Sequence, residues 1–178
     1  MQTRTLSPSL PRQVMITISA AALIALAAKI QVPFWPVPMT LHTLAVFLIA
    51  ALLGPRMGLA AMAAYLSAGL AGVPVFSGSP ERGVGLAYMM GPTGGYLLGY
   101  LASAWLVGRL AQGRGPLAVA GAMLAGLAVV YAAGLLGLAV FVPAEQLLAV
   151  GLLPFLAGDL VKIALATALI ALWKRAAS

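Results

Sequence analysis

Apolar residues run along this chain in long blocks, and charged residues lie mostly between the blocks. Charge-free windows include 13–28, 57–80, 83–108, 115–144 and 163–173. A helix of about 20 predominantly apolar residues is long enough to cross the hydrocarbon core of a bilayer. By that measure the pattern predicts six membrane-spanning helices, at roughly 13–31, 39–54, 57–72, 92–110, 117–140 and 155–173.

Two connections between these segments have a predictable form. The short second and third helices are joined by LLGPRMG, in which Gly and Pro favour a tight turn. The segment 143–154 is too short to span a bilayer and is interpreted as an interfacial or partly re-entrant piece before the last helix. The sequence therefore predicts an all-α integral membrane protein, with residues 1–178 forming a single domain.

Composition agrees with this class. Apolar residues make up 63% of the 178 residues and charged residues only 7%, which is outside the range of soluble domains. The chain has no Cys, which excludes disulfides and Cys-ligated metals. Its net charge of +7 does not indicate nucleic-acid binding, because the basic residues lie at segment ends and not on one amphipathic face.

The basic residues predict the orientation of the helices. With both termini on one side, that side receives seven of them: Arg4, Arg12, Arg56, Arg109, Arg114, Lys174 and Arg175. The loops of the other side contribute Arg82, Glu81 and Glu145. Because cytoplasmic loops carry an excess of Lys and Arg, both termini are expected in the cytoplasm. The structured connections 32–38, 73–91 and 141–154 are then expected to face outward.

An enzymatic function is poorly supported. The chain has one His and three widely separated acids, so no spacing offers the three or four converging ligands of a zinc site. Neither the G-x-S-x-G elbow of hydrolases nor the G-x-x-x-x-G-K-[ST] loop of nucleotide-binding proteins occurs. We therefore expect no catalytic residues, no metal and no nucleotide site in this chain.

The last predicted helix carries two opposite charges, Asp159 and Lys162, in LPFLAGDLVKIALA. They are spaced i, i+3, so they share a helix face and can pair. Each charge costs about 2.5–3.5 kcal/mol near a helix centre in a membrane, so such residues usually have a partner or a function. One interpretation is a structural ion pair. The other is a ligand site, in which the carboxylate accepts N–H donors and the ammonium meets an anion.

The predicted outer loops supply further candidates. VPFWPVPMTLHT (32–43) has three prolines that stiffen it, and its Trp35 would cover an apolar ligand or anchor at the interface. His42, at the end of this stretch, is interpreted as a hydrogen-bonded helix residue in preference to a ligand group. The Gly-rich stretch 72–100 is long for a connection, which often indicates function. It contains Arg82, which is either an anion contact or a solvated loop residue beside Glu81.

Small residues at four-residue spacing predict close helix contacts. The pairs are Gly95 and Gly99, Gly121 and Ala125, Ala133 and Gly137, and Ala164 and Ala168. The first helix has the same spacing at Ala21 and Ala25, within a run rich in Ala. That helix either packs internally or offers a smooth surface to a partner membrane protein.

Four stretches in chain order, VPFWPVPMTLHTLAVFL, GVPVFSGSPERG, GPTGGYLLGY and LPFLAGDLVKIALA, resemble the successive motifs of the BioY family. That family comprises the biotin-specific substrate-capture (S) components of energy-coupling-factor (ECF) transporters. The resemblance runs through nearly the whole chain, and 113–145 is its least distinctive part. It implies a compact six-helix fold in the cytoplasmic membrane of a prokaryote, which captures biotin from the outer side.

The resemblance also implies partners. S components work with a transmembrane T component and two ABC-type ATPases, so ATP would be used only through partner subunits and this chain would need no cofactor. They dock through small-residue patches on the first helix, which fall here on Ala21 and Ala25. Family members also act alone or as dimers, so a homo-oligomer stays open.

Finally, the resemblance implies a binding site. The Asp and Lys of the family's G-D-x-x-K motif are linked to biotin binding and correspond here to Asp159 and Lys162. Asp159 would accept the ureido N–H groups, and the carboxylate would meet Lys162 or, as second choice, Arg82. Candidate donors to the ureido carbonyl are Ser77, Gln31 and Thr40, and candidate apolar walls are Trp35, Phe76 and Tyr88. The alternatives are an ion- or proton-coupled carrier that uses the Asp159–Lys162 pair, and a structural membrane protein without a small ligand.

Overall fold

The computed structural model of the chain describes residues 9–176, so Arg4 lies outside the described residues. Within that range the protein is mostly helical. The elements in chain order are α1 (Leu10–Lys29), β1 (Gln31–Val32), β2 (Met39–Thr40), α2 (His42–Leu70), α3 (Gly85–Met89), α4 (Gly94–Ala111), α5 (Pro116–Leu138), α6 (Ala144–Gly151) and α7 (Leu153–Ala176).

Four helical stretches are long and apolar enough to cross a membrane, judged by length and composition. They are Leu10–Lys29, His42–Leu70, Pro116–Leu138 and Ala144–Ala176. The last of these combines α6 with α7, which only Leu152 separates. The predicted all-α membrane class is therefore confirmed in its coarse form, and the number of six spans stays a prediction.

The helix α2 is a hairpin of two arms. At Gly54 the backbone leaves the helical region with φ of 81° and ψ of 178°, a conformation that glycine adopts without a steric penalty. Pro55 follows, at the start of the second arm, where its missing N–H has no partner to lose. The arms run back along each other, since His42 and Tyr65 have ring centroids 5.1 Å apart. The LLGPRMG stretch thus forms the predicted tight turn.

Two predicted helix ends are wrong because strands occupy them. The first helix ends at Lys29 and not at residue 31, and the second begins at His42 and not at residue 39. Between them lies a short antiparallel ribbon, in which Gln31 pairs with Thr40 and Val32 with Met39. The prolines of this loop remove backbone donors, which leaves a two-residue ladder as the regular structure available.

The two ends of the bundle carry different structures. One end holds the turn of α2 and the ends of α4 and α7, where the Lys174 ammonium donates to the Arg114 carbonyl at 2.6 Å. The other end holds the ribbon and the segment 72–93. Lys29 belongs to this second end, because its Nζ donates to the carbonyls of Phe76 at 2.9 Å and Ser79 at 2.8 Å. The predicted count of one basic residue on that side was wrong, since it passed over Lys29.

Small residues bring α4 and α5 into close contact. A Cβ added at Gly95 would lie 2.5 Å from the Ala133 carbonyl oxygen, and one added at Gly99 would lie 2.8 Å from the Val130 Cα. Gly137 lies against Gly95 from the other side. These predicted contacts are therefore confirmed. Two other pairs do not pack as predicted, because Gly121, Ala164 and Ala168 are exposed on the outer surface of the described chain.

The close approach predicts a difference between two glycines. Gly99→Val forces two branches against the α5 backbone and should lower the free energy of unfolding by about 1–3 kcal/mol. Gly121→Val is the matched control, because a Cβ at Gly121 meets no atom of residues 9–176 within 4 Å and both sites are helical. Thermal unfolding in detergent measures the difference. Equal midpoints for the two variants would contradict the close packing of Gly99 against α5.

Candidate functional site

The carboxylate of Asp159 is the centre of a buried polar network. Its Oδ1 accepts hydrogen bonds from Lys162 Nζ at 2.9 Å and from Thr43 Oγ1 at 2.9 Å. Its Oδ2 accepts one from Tyr131 Oη at 2.7 Å. Asp159 and Lys162 are 5% and 9% exposed, so the ion pair is shielded from solvent. Three helices, α2, α5 and α7, therefore meet at one carboxylate.

The direction of one further hydrogen bond follows from proton counting. Thr43 has a single hydroxyl hydrogen, which it donates to Asp159. The 2.7 Å contact between Thr43 Oγ1 and Tyr100 Oη must then have the tyrosine as donor. The chain Tyr100 to Thr43 to Asp159 adds α4 to the network. Each hydroxyl in it has already used its hydrogen on a protein acceptor.

Lys162 also holds the ribbon. Its Nζ donates to the Thr40 carbonyl at 2.6 Å as well as to Asp159. An ammonium has three donors, so one remains for another acceptor. Because Thr40 is in β2, the charge on α7 fixes the position of the loop that covers it.

A cavity lies beside this network at the ribbon end of the bundle. Asp159, Lys162, Thr40, Ser77 and Tyr88, all predicted as site residues, line it together. The other lining residues are Val37, Pro38, Met39, His42, Thr43, Thr93, Tyr96, Leu97, Tyr100, Val130, Tyr131 and Phe155. The free space is about 40 Å³, room for only a few water molecules.

Gln31 and Phe76 support this lining and are not part of it. Ser77 donates a short hydrogen bond to the Gln31 side-chain oxygen, and Tyr88 Oη donates to the Ser77 carbonyl at 2.8 Å. Phe76 is fully buried and stacks on Tyr88, with ring centroids 4.8 Å apart. Burial raises the pKa of the Tyr88 phenol, which keeps it a neutral donor.

Arg82 and Trp35 lie in a second, outer cavity of about 280 Å³. The guanidinium donates to the carbonyls of Phe34 at 3.1 Å and Pro36 at 3.2 Å and lies 5.3 Å from the Trp35 ring centre. Trp35 is 78% exposed. The outer cavity shares Tyr88 and Thr93 with the inner one. Arg82 is thus a structured loop residue and not a freely solvated one.

Ala21 and Ala25 line neither of these two cavities. They lie on α1, are half-buried and pack against the core. Their neighbours Leu23 and Leu26 are 57% and 63% exposed. The helix therefore packs internally along one face and leaves an apolar face uncovered by the described chain.

Six polar residues of the lining were not among the predicted site residues: His42, Thr43, Thr93, Tyr96, Tyr100 and Tyr131. A signal for the tyrosines was present, because a phenol inside an apolar run needs a hydrogen-bond partner. Tyr131 lies in such a run, 115–144. The sequence shows that a partner is needed and does not show which residue provides it.

The side chain of His42 differs from the interpretation of this residue as a hydrogen-bonded helix residue. Its backbone N–H donates to Thr40 Oγ1 at 3.2 Å, whereas its side-chain Nε2 makes no hydrogen bond to residues 9–176. The imidazole is 3% exposed, stacks on Tyr100 and meets the edge of Tyr65. Its Nε2 is the one buried side-chain nitrogen or oxygen among residues 9–176 that has no hydrogen-bond partner.

Comparison with known proteins identifies the family. The model of the BioY family matches residues 1–178. The chain belongs to the BioY family. The biotin transporter BioY of Thermotoga maritima is 40% identical over 153 residues, which cover 85% of this chain and 88% of that protein. A probable biotin transporter BioY of Pyrococcus horikoshii is 35% identical over 155 residues, which cover 87% and 91%.

A solved structure shares the fold. It is the S-component for biotin from an ECF-type ABC transporter, with a TM-score of 0.79 and coverage of 95% of both chains. At 24% identity this likeness concerns the architecture alone. The predicted resemblance to the BioY family is confirmed, and with it the class of membrane protein. Proteins of this family that the comparison names are transporters and not enzymes.

The buried pair predicts a non-additive effect on stability. Asp159→Leu or Lys162→Met leaves one charge buried without its counter-ion and should each lower the free energy of unfolding by about 3–5 kcal/mol. The double variant removes both charges and should be more stable than either single variant. Unfolding of the three purified variants in detergent measures the coupling. Losses that simply add would show that the two charges do not stabilise each other.

Proposed function

We propose that this protein is the membrane-embedded, high-affinity biotin-binding subunit of an ECF-type transporter. It captures biotin at the outer side of the cytoplasmic membrane of a prokaryote, with both termini in the cytoplasm and six spans. The observation that carries the proposal is the Asp159–Lys162 pair. In a family whose relatives are named biotin transporters, it lines a cavity at the loop-covered end of the bundle.

The contact between Asp159 and Lys162 restricts the orientation in which biotin can bind. Biotin has a ureido ring at one end and a carboxylate at the end of an alkyl chain. Asp159 and Lys162 touch at 2.9 Å, so the pair cannot hold both ends of an extended ligand unless it separates. We therefore assign the ureido ring to this pair, with Ser77 and Thr40 beside it in the lining.

The carboxylate is then assigned to the outer cavity. Sequence reasoning placed Lys162 first as its partner and Arg82 second, and the contact between Lys162 and Asp159 favours Arg82. Tyr88 and Thr93 belong to both cavities, so a ligand chain that passes them reaches from one to the other. Tyr88, backed by Phe76, and the indole of Trp35 serve as the apolar walls along this path.

Biotin needs more room than the inner cavity offers. With about 40 Å³ free, the lining must move apart before a ligand of that size enters. We expect the ribbon and the loop between its strands to move, because their polar contacts to two cations can be exchanged for contacts to a ligand. Lys162 binds the Thr40 carbonyl, and Arg82 binds the carbonyls of Phe34 and Pro36. A ligand that takes over the two cations would release both attachments.

Calorimetric titration of the detergent-purified protein tests the function and the orientation together. The wild type should bind biotin saturably and bind biotin amide, which lacks the carboxylate, more weakly. If Arg82 meets the carboxylate, Arg82→Met should reduce the preference for biotin over the amide to near unity. Lys162→Met should weaken both ligands by a similar factor and keep the preference.

The ratio of the two affinities distinguishes the loss of one contact to the carboxylate from a general distortion of the site. A variant that merely distorts the site weakens both ligands and leaves their ratio unchanged. Loss of the ratio in Lys162→Met alone would restore Lys162 as the carboxylate partner. No saturable binding of biotin by folded wild-type protein would overturn the proposed function and favour an ion- or proton-coupled carrier or a structural protein.

We further propose that the protein assembles with an ECF T component and two ABC-type ATPases. The chain itself lacks a nucleotide-binding loop, so ATP would act through these partners. The first helix supports a docking role, because Leu23, Leu26 and other large apolar residues of α1 are exposed. Ala21 and Ala25 are small and only half-buried, so another helix can approach α1 closely at these positions.

Ala21→Trp and Ala25→Trp should each abolish co-purification with a co-expressed T component, because an indole holds the partner helix away. Biotin binding by the isolated subunit should persist in both variants. Gly121→Trp on α5, at a site with open space around it, is the control and should still co-purify. Retention of the T component by the α1 variants would show that docking uses another surface.

A further inference from the structure

The imidazole of His42 carries a buried nitrogen, Nε2, to which the described residues offer no hydrogen bond. It lines the cavity and is 3% exposed, and its Nε2 has no hydrogen-bond partner among residues 9–176. Buried polar groups are almost always paired, so a buried nitrogen without a partner at a cavity calls for a group that binds there. The feature therefore needs an explanation that packing does not supply.

The neighbouring hydroxyls have no hydrogen left to donate to Nε2. Thr43 and Tyr131 give their hydrogens to Asp159, and Tyr100 gives its hydrogen to Thr43. Tyr100 also stacks on the imidazole at 5.2 Å between ring centroids with an angle of 19°, so it meets the face of the ring and not its edge nitrogens. The hydroxyls around the ring are engaged elsewhere.

Two aromatic rings restrain the imidazole. Tyr100 stacks on one face, and Tyr65 meets it at an interplanar angle of 73° with centroids 5.1 Å apart. Its backbone N–H is held by Thr40 Oγ1. A ring restrained in this way loses little further freedom when a ligand binds, which favours affinity.

We propose that His42 is a specificity-determining residue whose Nε2 forms a hydrogen bond with the ureido ring of bound biotin. His42 lines the same cavity as Asp159 and Lys162, the pair to which the ureido group is assigned. A urea presents both N–H donors and a carbonyl acceptor, so it satisfies an imidazole nitrogen in either tautomer. This inference rests on the proposed biotin-binding function.

Substitution of His42 by two side-chain amides of different length tests whether Nε2 makes the hydrogen bond to the ligand. In His42→Gln the side-chain amide reaches the position of Nε2, whereas in His42→Asn it reaches only that of Nδ1. We expect His42→Gln to keep biotin affinity within about threefold and His42→Asn and His42→Phe to weaken it by about tenfold or more, because they leave a ligand polar group unpaired. Calorimetric titration of the purified variants measures these values.

Two further readouts separate this role from a structural one. The factor by which His42→Phe lowers the affinity should be the same for biotin and for biotin amide, because the carboxylate is assigned to the outer cavity. Without ligand, the thermal midpoint of His42→Phe, or of the smaller His42→Leu if Phe does not fit, should not fall below that of the wild type. A buried unpaired nitrogen has been removed in both.

Wild-type affinity in folded His42→Phe and His42→Leu would overturn the inference and leave the imidazole as a packing element between Tyr65 and Tyr100. A loss of binding that His42→Gln fails to rescue would also overturn it. Absence of biotin binding by the wild type would instead overturn the proposed function. The two failures are therefore distinguishable in one set of titrations.

Discussion

The structure depends on the need to compensate one buried carboxylate. Asp159 lies on α7 within a chain of 63% apolar residues, where an unpaired charge would be very costly. Lys162, Thr43 and Tyr131 supply three charge-assisted hydrogen bonds, and Tyr100 extends the network through Thr43. Four helices are brought to one point by this requirement, and the cavity lies next to it.

The same network connects the helical bundle to the loops. Lys162 divides its donors between Asp159 and the Thr40 carbonyl, so the ribbon is held by the charge that pairs with the carboxylate. Lys29 and Arg82 act in the same way at the periphery, where each binds loop carbonyls through two hydrogen bonds. Cations thus order the irregular backbone that covers the site, because loop carbonyls there have no ladder partners.

This organisation suits the capture of a small polar molecule from water. The protein groups that would bind the ligand are a carboxylate, an ammonium and hydroxyls, and in the empty site they bind one another. A site whose polar groups satisfy each other stays stable when empty. His42 departs from this pattern, because its buried Nε2 has no hydrogen-bond partner among residues 9–176 and lies on a residue that lines the cavity.

Much was determined by the sequence itself. The charge-free blocks predict the membrane class, LLGPRMG predicts the hairpin of α2, and the four motifs predict the family that the comparisons confirm. The i, i+3 spacing predicts that Asp159 and Lys162 can pair, because that geometry is local to one helix. These features depend on neighbours in the sequence or on hydrophobicity summed over a segment, and both are readable without the fold.

Only the tertiary structure decided which distant residues share the site. Tyr131 and Thr43 meet Asp159 from 28 and 116 residues away, and no local pattern encodes those partners. It also separated residues that sequence reasoning grouped together, with Ser77 and Tyr88 in the inner lining, Phe76 behind it, and Trp35 and Arg82 in the outer cavity. The reason is physical: side-chain direction within a Gly-rich loop is set by packing against other elements, which the loop sequence does not contain.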